Sequence, residues 1–199
     1  MPVIDLMRHG ETERAGDLIG RTDCALSQAG WTQFERQTAH GSWALVIASP
    51  LKRACEAAER LGAKRGLPVV IDPDWREIDL GDWDGKALAE LEADPHSAAL
   101  MTQFYRDPET AQAPNGEPWA ALRARIDRAL ARLAEGTDAG GVLVVTHGGP
   151  IRTALSLACA IPLPSLWALR IDPATRVRLA LARHPERGLW GEILEVEQP

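Results

Sequence analysis

The chain is short of lysine, cysteine, tyrosine and phenylalanine and contains no long apolar run; each shortage excludes something. Of 22 basic residues only Lys52, Lys64 and Lys86 are lysine, and 28 acidic residues bring the net charge to −6. A general nucleic-acid surface is rich in Lys and Arg, so a nucleic-acid partner is excluded, whereas a locally positive pocket for a phosphorylated small molecule is not. The cysteines, Cys24, Cys55 and Cys159, are far apart and form no CxxC or Cys/His zinc spacing. They predict free thiols, a reducing compartment and no metal site. No segment approaches the roughly 18 apolar residues of a membrane helix, and no signal peptide precedes the first motif. The expectation is a cytoplasmic protein with no membrane partner. Seven Trp stand against one Tyr and two Phe, so tryptophan is expected to serve the core or an interface.

What is present reads as an α/β chain. Its 199 residues, 45% apolar and 25% charged, fit one domain over residues 1–199. Val3 to Met7, broken by Asp5, predicts a buried strand. Ser27 is a candidate N-cap for a helix to about Ala39, with Leu26 stapling onto Trp31. Trp43 to Ala48 predicts a second strand, and Pro50 suits the first turn of a helix lasting to about Arg65. Gly66-Leu67-Pro68 turns the chain into a third strand, Val69 to Asp72, followed by a loop rich in Asp, Gly and Trp. Residues of about 86–118 resemble an insert punctuated by Pro95, Pro108 and Pro114. Trp119, Leu122, Ile126, Leu130 and Leu133 recur at helical spacing. Val142 to Val145 predicts the fourth strand, Ile151 to Ala158 a helix, and Trp167 to Ile171, Arg176 to Ala182 and Glu192 to Val196 closing strands. Alternation of this kind predicts a three-layer α/β/α fold, its mainly parallel sheet covered on both faces.

Ligands of open α/β sheets bind beyond the carboxyl ends of the strands. His9 and His147 both lie there, each followed by a glycine, Gly10 and Gly148, that lets backbone approach a ligand. Gly148 also opens a helix whose amides favour an anion. A lone histidine at a strand end is ordinarily structural. Two at equivalent ends, beside Arg8, a bidentate partner for phosphate, point to phosphate chemistry. Arg53 follows the second strand and reaches the same edge.

Arg8-His9-Gly10-Glu11-Thr12, Ser49-Pro50-Leu51-Lys52-Arg53-Ala54, Glu77 with Gly81-Asp82-Trp83-Asp84-Gly85, and Thr146-His147-Gly148-Gly149 occur in this order. The set resembles the histidine phosphatase superfamily, in its phosphoglycerate mutase-like branch. The resemblance implies that His9 attacks phosphorus and carries the phosphoryl group, that Arg8, Arg53 and His147 bind its oxygens, and that Glu77 is general acid and then base. No cofactor and no metal are implied; phosphoryl transfer is served by positioning and charge stabilisation. Attack by neutral His9 requires an acceptor for its second ring nitrogen, for which a backbone carbonyl is one candidate. Asp79, Asp82 and Asp84 share the loop of Glu77, and only family position selects Glu77. Thr12, Gly20 and Gly148 are the candidate substrate contacts. The segment between His9 and Gly20 is shorter than in the mutases and has Arg14-Ala15-Gly16 where they place an asparagine.

A hydrolase is expected over a mutase, because the extended mutase insert is absent. Phe104-Tyr105-Arg106-Asp107-Pro108, Pro114-Asn115-Gly116-Glu117 and Leu166-Trp167-Ala168-Leu169-Arg170-Ile171-Asp172 are similar to alpha-ribazole phosphatases. That implies alpha-ribazole 5′-phosphate, or the phosphorylated cobamide of cobalamin assembly, as the small-molecule substrate. A broad-specificity phosphatase for sugar phosphates or nucleotides is the alternative, and a phosphate-binding module without turnover belongs to a different class again. Trp83 and Trp119 flank the insert and are candidates to shape the pocket. A homodimer stays open.

Overall fold

The buried strands send alternate side chains to two separate cores, and that alternation creates the three layers. In the computed structural model, which describes residues 1–199 except 109, 137–139, 185 and 187 and the side chain at 184, β1 (Val3–Arg8), β2 (Leu45–Ala48), β3 (Val69–Ile71) and β4 (Val142–Thr146) run parallel. β5 (Arg176–His184) and β6 (Gly188–Glu197) continue the sheet antiparallel, giving the order β3-β2-β4-β1-β5-β6. Ile4, Leu6, Val142 and Val144 pack on one face with Leu122, Ile126 and Leu130 of α5 (Trp119–Gly136) and Ile151 and Leu155 of α6 (Gly148–Cys159). Met7, Val46, Ala48, Leu143 and Val145 pack on the other with Phe34 of α1 (Gln28–Thr38) and Ala54, Ala58 and Leu61 of α2 (Lys52–Arg65). Period-two alternation in a doubly covered sheet requires this division. The α/β/α expectation therefore stands, with an antiparallel pair closing one side.

Local chemistry explains the details. Asp5 interrupts β1 without breaking it, because its buried carboxylate accepts the Trp43 indole N–H at 2.6 Å and pairs with Arg176 at 3.2 Å. Ser27 caps α1 by accepting the Gly30 amide at 3.0 Å, as its position predicts. Pro50 differs from expectation. Leu51 is the N-cap of α2, so Pro50 precedes the helix, and the Leu51 amide is taken by Ser49 Oγ at 3.3 Å. Residues 167–171 also differ. Leu163–Ala168 is a 3-10 turn and joins no sheet. Pro162 and Pro164 remove ladder donors there, and carbonyls of the segment go to Arg152 instead. α6 begins at Gly148, ahead of Pro150, because the His147 carbonyl accepts from Ile151. The segment after the Asp/Gly/Trp loop forms α3 (Leu88–Ala93) and α4 (Pro95–Arg106).

Register carries the functional edge. Arg8 pairs with Thr146 across β1 and β4, and the ladder continues one step as the His9 amide donates to the Thr146 carbonyl at 2.9 Å. On the other side of β4, the Ser49 amide donates to Val145 at 3.0 Å. Three neighbouring strands thus end together with Ser49, His147 and His9.

The loop leaving His9 is pressed backbone to backbone onto α1. A Cβ on Gly30 would lie 2.0 Å from the Glu11 carbonyl, and one on Gly10 2.3 Å from the Gly30 carbonyl. Helix propensity alone favours alanine at Gly30 by about 1 kcal/mol, but a contact that short with rigid backbone outweighs it. Gly30→Ala is expected to destabilise the protein by about 1–3 kcal/mol, the range for overpacking, read as the midpoint of urea unfolding. A stabilised or unchanged variant would show that this contact is loose.

Candidate active site

Both histidines are buried, and their rings approach at 5.1 Å between centroids with 62° between planes. His9 Nδ1 lies 2.7 Å from the Gly10 carbonyl. A carbonyl only accepts, so Nδ1 carries the proton and Nε2 the lone pair. The tautomer partner is thus the backbone of the very next residue. Burial, then the charges of Arg53 and Arg8, push His9 well below the 6.5 of a free imidazole, against the opposing pull of the Gly10 bond. His147 is lowered in the same way by burial and by Arg53, His9 and Arg8. Its Nδ1 accepts from Arg53 Nε at 3.3 Å, so the neutral ring protonates Nε2, which meets Ser49 Oγ at 2.7 Å.

Arg53 is fully buried without a carboxylate partner in the described ion pairs. Besides His147 it donates to the Thr22 carbonyl at 2.8 Å, to Gly20 at 2.8 Å and to Ile19 at 3.3 Å. Burial lowers its pKa, against the raising influence of Glu77 first and then of Cys24, Asp23 and Asp84. The carbonyls it uses belong to a loop that is itself held from outside. Asp84 accepts from the Gly20 amide at 2.6 Å, the Thr22 amide at 2.8 Å and the Thr22 hydroxyl at 2.8 Å. Asp84 therefore latches the loop that orients Arg53, which in turn orients His147. Gly20 sits behind Arg53: a Cβ there would lie 2.7 Å from the Ile78 carbonyl.

Glu77 reaches the site from the other side. Its Oε1 accepts its neighbour's amide, that of Ile78, at 2.8 Å, and Oε2 accepts the Gly149 amide at 3.3 Å. A Cβ on Gly149 would lie 2.3 Å from Oε1, so the carboxylate occupies the place of a side chain at the first turn of α6. Its rivals are engaged elsewhere. Asp79 accepts from Gly81 and pairs with Arg21, Asp82 accepts from Asn115, and Asp84 holds the loop. Arg8 donates from Nη1 to the Ile171 carbonyl at 2.8 Å, while its buried Nε has no partner. Burial lowers the Arg8 pKa, opposed by Glu77 and Asp172.

These groups open into a cleft of about 320 Å³ lined by Arg8, His9, Thr12, Glu77 and Gly148 among others. Arg53, His147 and Gly20 lie behind that lining. The far wall is aromatic. Phe104, Tyr105, Trp119 and Trp167 line it and pack in a chain, edge-to-face for Phe104–Tyr105 (centroids 5.1 Å) and Tyr105–Trp167 (4.8 Å) and tilted for Phe104–Trp119 (5.0 Å). Trp83 supports it edge-on against Phe104 at 5.5 Å. Burial raises the Tyr105 pKa. Arg14 and Arg152 also line the cleft; sequence reasoning noted Arg14 only as a departure from the mutases and passed over Arg152. Arg152 stands one helical turn after Gly148, a spacing that marks a side chain folding back over the N-terminal turn. Among the described residues no group of three or more His, Cys, Asp or Glu side chains is placed to hold a metal ion.

Two buried neutral imidazoles, converging guanidinium groups and an adjacent carboxylate thus meet at one edge of an α/β sheet. The chain belongs to the histidine phosphatase superfamily (branch 1), whose family model matches residues 4–188. A bifunctional protein of Mycobacterium tuberculosis is 33% identical over 85% of this chain, which spans about half (48%) of that relative's length. The adenosylcobalamin/alpha-ribazole phosphatase of Escherichia coli K12 is 32% identical over 84% of each. Among solved structures, a mycobacterial glucosyl-3-phosphoglycerate phosphatase in complex with VO3 superposes with a TM-score of 0.82 at 27% identity, over 98% of both chains.

Two outcomes follow from this geometry. The His9 and His147 ring protons are expected not to titrate in NMR spectra between pH 8 and 6, where a free imidazole does. Both pKa values are lower in the folded state, so the unfolded chain binds more protons below pH 6.5, and stability is expected to fall as pH drops through that value. A normal titration of either ring would disprove the buried neutral pair. Asp84→Asn is expected to lower kcat/KM for a phosphomonoester, yet to add little in an Arg53→Ala background, because it acts through that arginine. Additive losses in this double-mutant cycle would remove the latch.

Proposed function

We propose that the protein is a phosphomonoester hydrolase working through a phosphohistidine, and the observation that carries this reading is the His9–Gly10 bond. With Nδ1–H held by the carbonyl, the Nε2 lone pair is the nucleophile. Nε2 attacks phosphorus as the ester P–O bond breaks, and Glu77, which must enter this step in its protonated form, gives that proton to the leaving alkoxide. The Gly10 carbonyl favours the cationic phosphorylated ring that results. Arg8, with its unused Nε, Arg53 and the amides opening α6 stabilise charge on the phosphoryl oxygens. His147, held by Arg53 and Ser49, supports the group from behind. Water then attacks phosphorus, the P–N bond breaks, and Glu77 takes the water's proton. The Cβ-free Gly149 is what admits Glu77 to this place.

The finer reading is alpha-ribazole 5′-phosphate or a phosphorylated cobamide as substrate. The aromatic wall supports it, because the half-buried Tyr105 and Trp167, backed by the buried Phe104 and Trp119, offer apolar faces to a flat ring on the leaving alcohol, as does the likeness to a relative named for that activity. A second reading, a broader phosphatase for sugar phosphates or nucleotides, is supported by the likeness to the glucosyl-3-phosphoglycerate phosphatase and by Arg14 and Arg152 at the cleft. No helix among the described residues is long and apolar enough to cross a membrane; the free, half-buried Cys24, Cys55 and Cys159 support a cytoplasmic location.

Turnover of p-nitrophenyl phosphate should persist in EDTA, disappear in His9→Ala, and slow in Glu77→Gln more than phosphate binding weakens. Equal inactivity of wild type and His9→Ala would leave only a binding module, and loss in EDTA would end the metal-independent mechanism. A panel of phosphomonoesters including alpha-ribazole 5′-phosphate and glucose 6-phosphate decides between the substrates. A kcat/KM no higher for the ribazole ester would favour the broad reading.

A further inference from the structure

Arg152 is a guanidinium that the proposed mechanism does not use. It lines the cleft, half-buried, at the first turns of α6. Its partners are neutral: the Leu166 carbonyl at 3.3 Å, Leu169 at 3.2 Å and Gly148 at 3.4 Å, with the Trp167 ring beneath it at 4.4 Å. These three bonds are long, and each nitrogen that makes one from the fork retains a second hydrogen. The ion pairs among the described residues include neither Arg152 nor Arg8. By contrast Arg14, also lining the cleft, is paired with Asp17 at 2.8 Å. Gly148 keeps the space open, because a Cβ there would approach Arg152 Nη1 at 3.2 Å.

A second guanidinium without an ion-pair partner, within the field of Arg8, costs free energy. Burial lowers the Arg152 pKa and the Arg8 charge lowers it further, with Glu77 and Tyr105 opposing. Arg8 and Arg53 are the guanidinium groups that act on His9, and they already serve a phosphoryl group attached there. Arg152 instead joins the carbonyls of the 3-10 turn to Trp167, and Trp167 packs on Tyr105. It belongs to the wall that faces the leaving alcohol.

We infer that Arg152 is a specificity residue that binds a second anionic group, a carboxylate or a phosphodiester, carried by the leaving alcohol of the substrate. The preferred substrates are then phosphomonoesters with two separated anionic groups, the scissile one on Arg8 and the other on Arg152. The guanidinium fork matches either anion bidentately, and its stacking on Trp167 holds the fork in place before the ligand arrives. This inference rests on the hydrolase reading, and it disfavours alpha-ribazole 5′-phosphate itself, whose leaving alcohol carries no second anion.

Glycerol 3-phosphate and 3-phosphoglycerate form a matched pair of probes, differing in a terminal hydroxymethyl against a carboxylate. The wild type is expected to show kcat/KM at least about tenfold higher for the carboxylate-bearing ester, the size of one charge-assisted hydrogen bond. Arg152→Met should bring that ratio close to one, chiefly through KM, and Arg152→Lys should restore part of it. No preference in the wild type would overturn the inference. So would a ratio unchanged in Arg152→Met, since Arg152 would then serve the scissile group or only the fold. Failure to hydrolyse any ester, p-nitrophenyl phosphate included, would instead remove the hydrolase reading. Calorimetric binding of the same two probes to wild type and Arg152→Met would still decide the role of Arg152.

Discussion

A buried guanidinium without a carboxylate partner is the constraint around which the site is arranged. Arg53 is taken out of water and compensated by three backbone carbonyls and one imidazole nitrogen. Such a charge is costly to bury unless its donors are satisfied, so the loop around Ile19–Thr22 has to close in one conformation. Asp84 enforces that closure from the far side, and Gly20 permits it because no side chain fits against Ile78. His147 inherits its tautomer from Arg53, and His9 packs against His147. One arginine thus fixes a loop, a ring orientation and part of the positive field in which His9 stays uncharged.

The electrostatics fit an incoming anion. Arg8, Arg53 and Arg152 all feel Glu77, and neither histidine carries charge. At this end of the cleft the guanidinium groups of Arg8, Arg53 and Arg152 thus outnumber the carboxylate of Glu77. A phosphate ester relieves that excess on binding. Preorganised charge of this kind is not rearranged during the reaction, which is where its catalytic value lies.

Much of this was legible in the sequence, for physical reasons that differ by residue. β1 and β4 announce themselves as apolar runs, and His9 and His147 stand where such runs stop. Their juxtaposition follows from the parallel register of two central strands. Arg8 and Arg53 were readable as cations at the same edge. The acceptor for His9 was not readable, because a bond to the adjacent carbonyl leaves no trace in residue identity. The latch formed by Asp84 depends on a loop fold remote in sequence, and Arg152 hides in a helix whose composition is otherwise apolar. Gly20, a candidate substrate contact, lies behind the arginine that needs its carbonyl. Residues 167–171 have strand-like composition, yet Pro162, Pro164 and the demand of Arg152 for carbonyls draw the segment away from the sheet.

The strand order has a consequence for how the molecule comes into being. β4 lies between β2 and β1, both of which precede it in the chain. A growing polypeptide that has emerged only through α5 holds β1 and β2 with no strand between them, and Ser49 and His9 have nothing to join them. When β4 enters that gap, it zips both neighbours at once and delivers His147 in the same event. The order of synthesis thus keeps His9 and His147 apart until β4 fills the gap, so this edge of the sheet is assembled in one step, before β5 and β6 extend the sheet from β1.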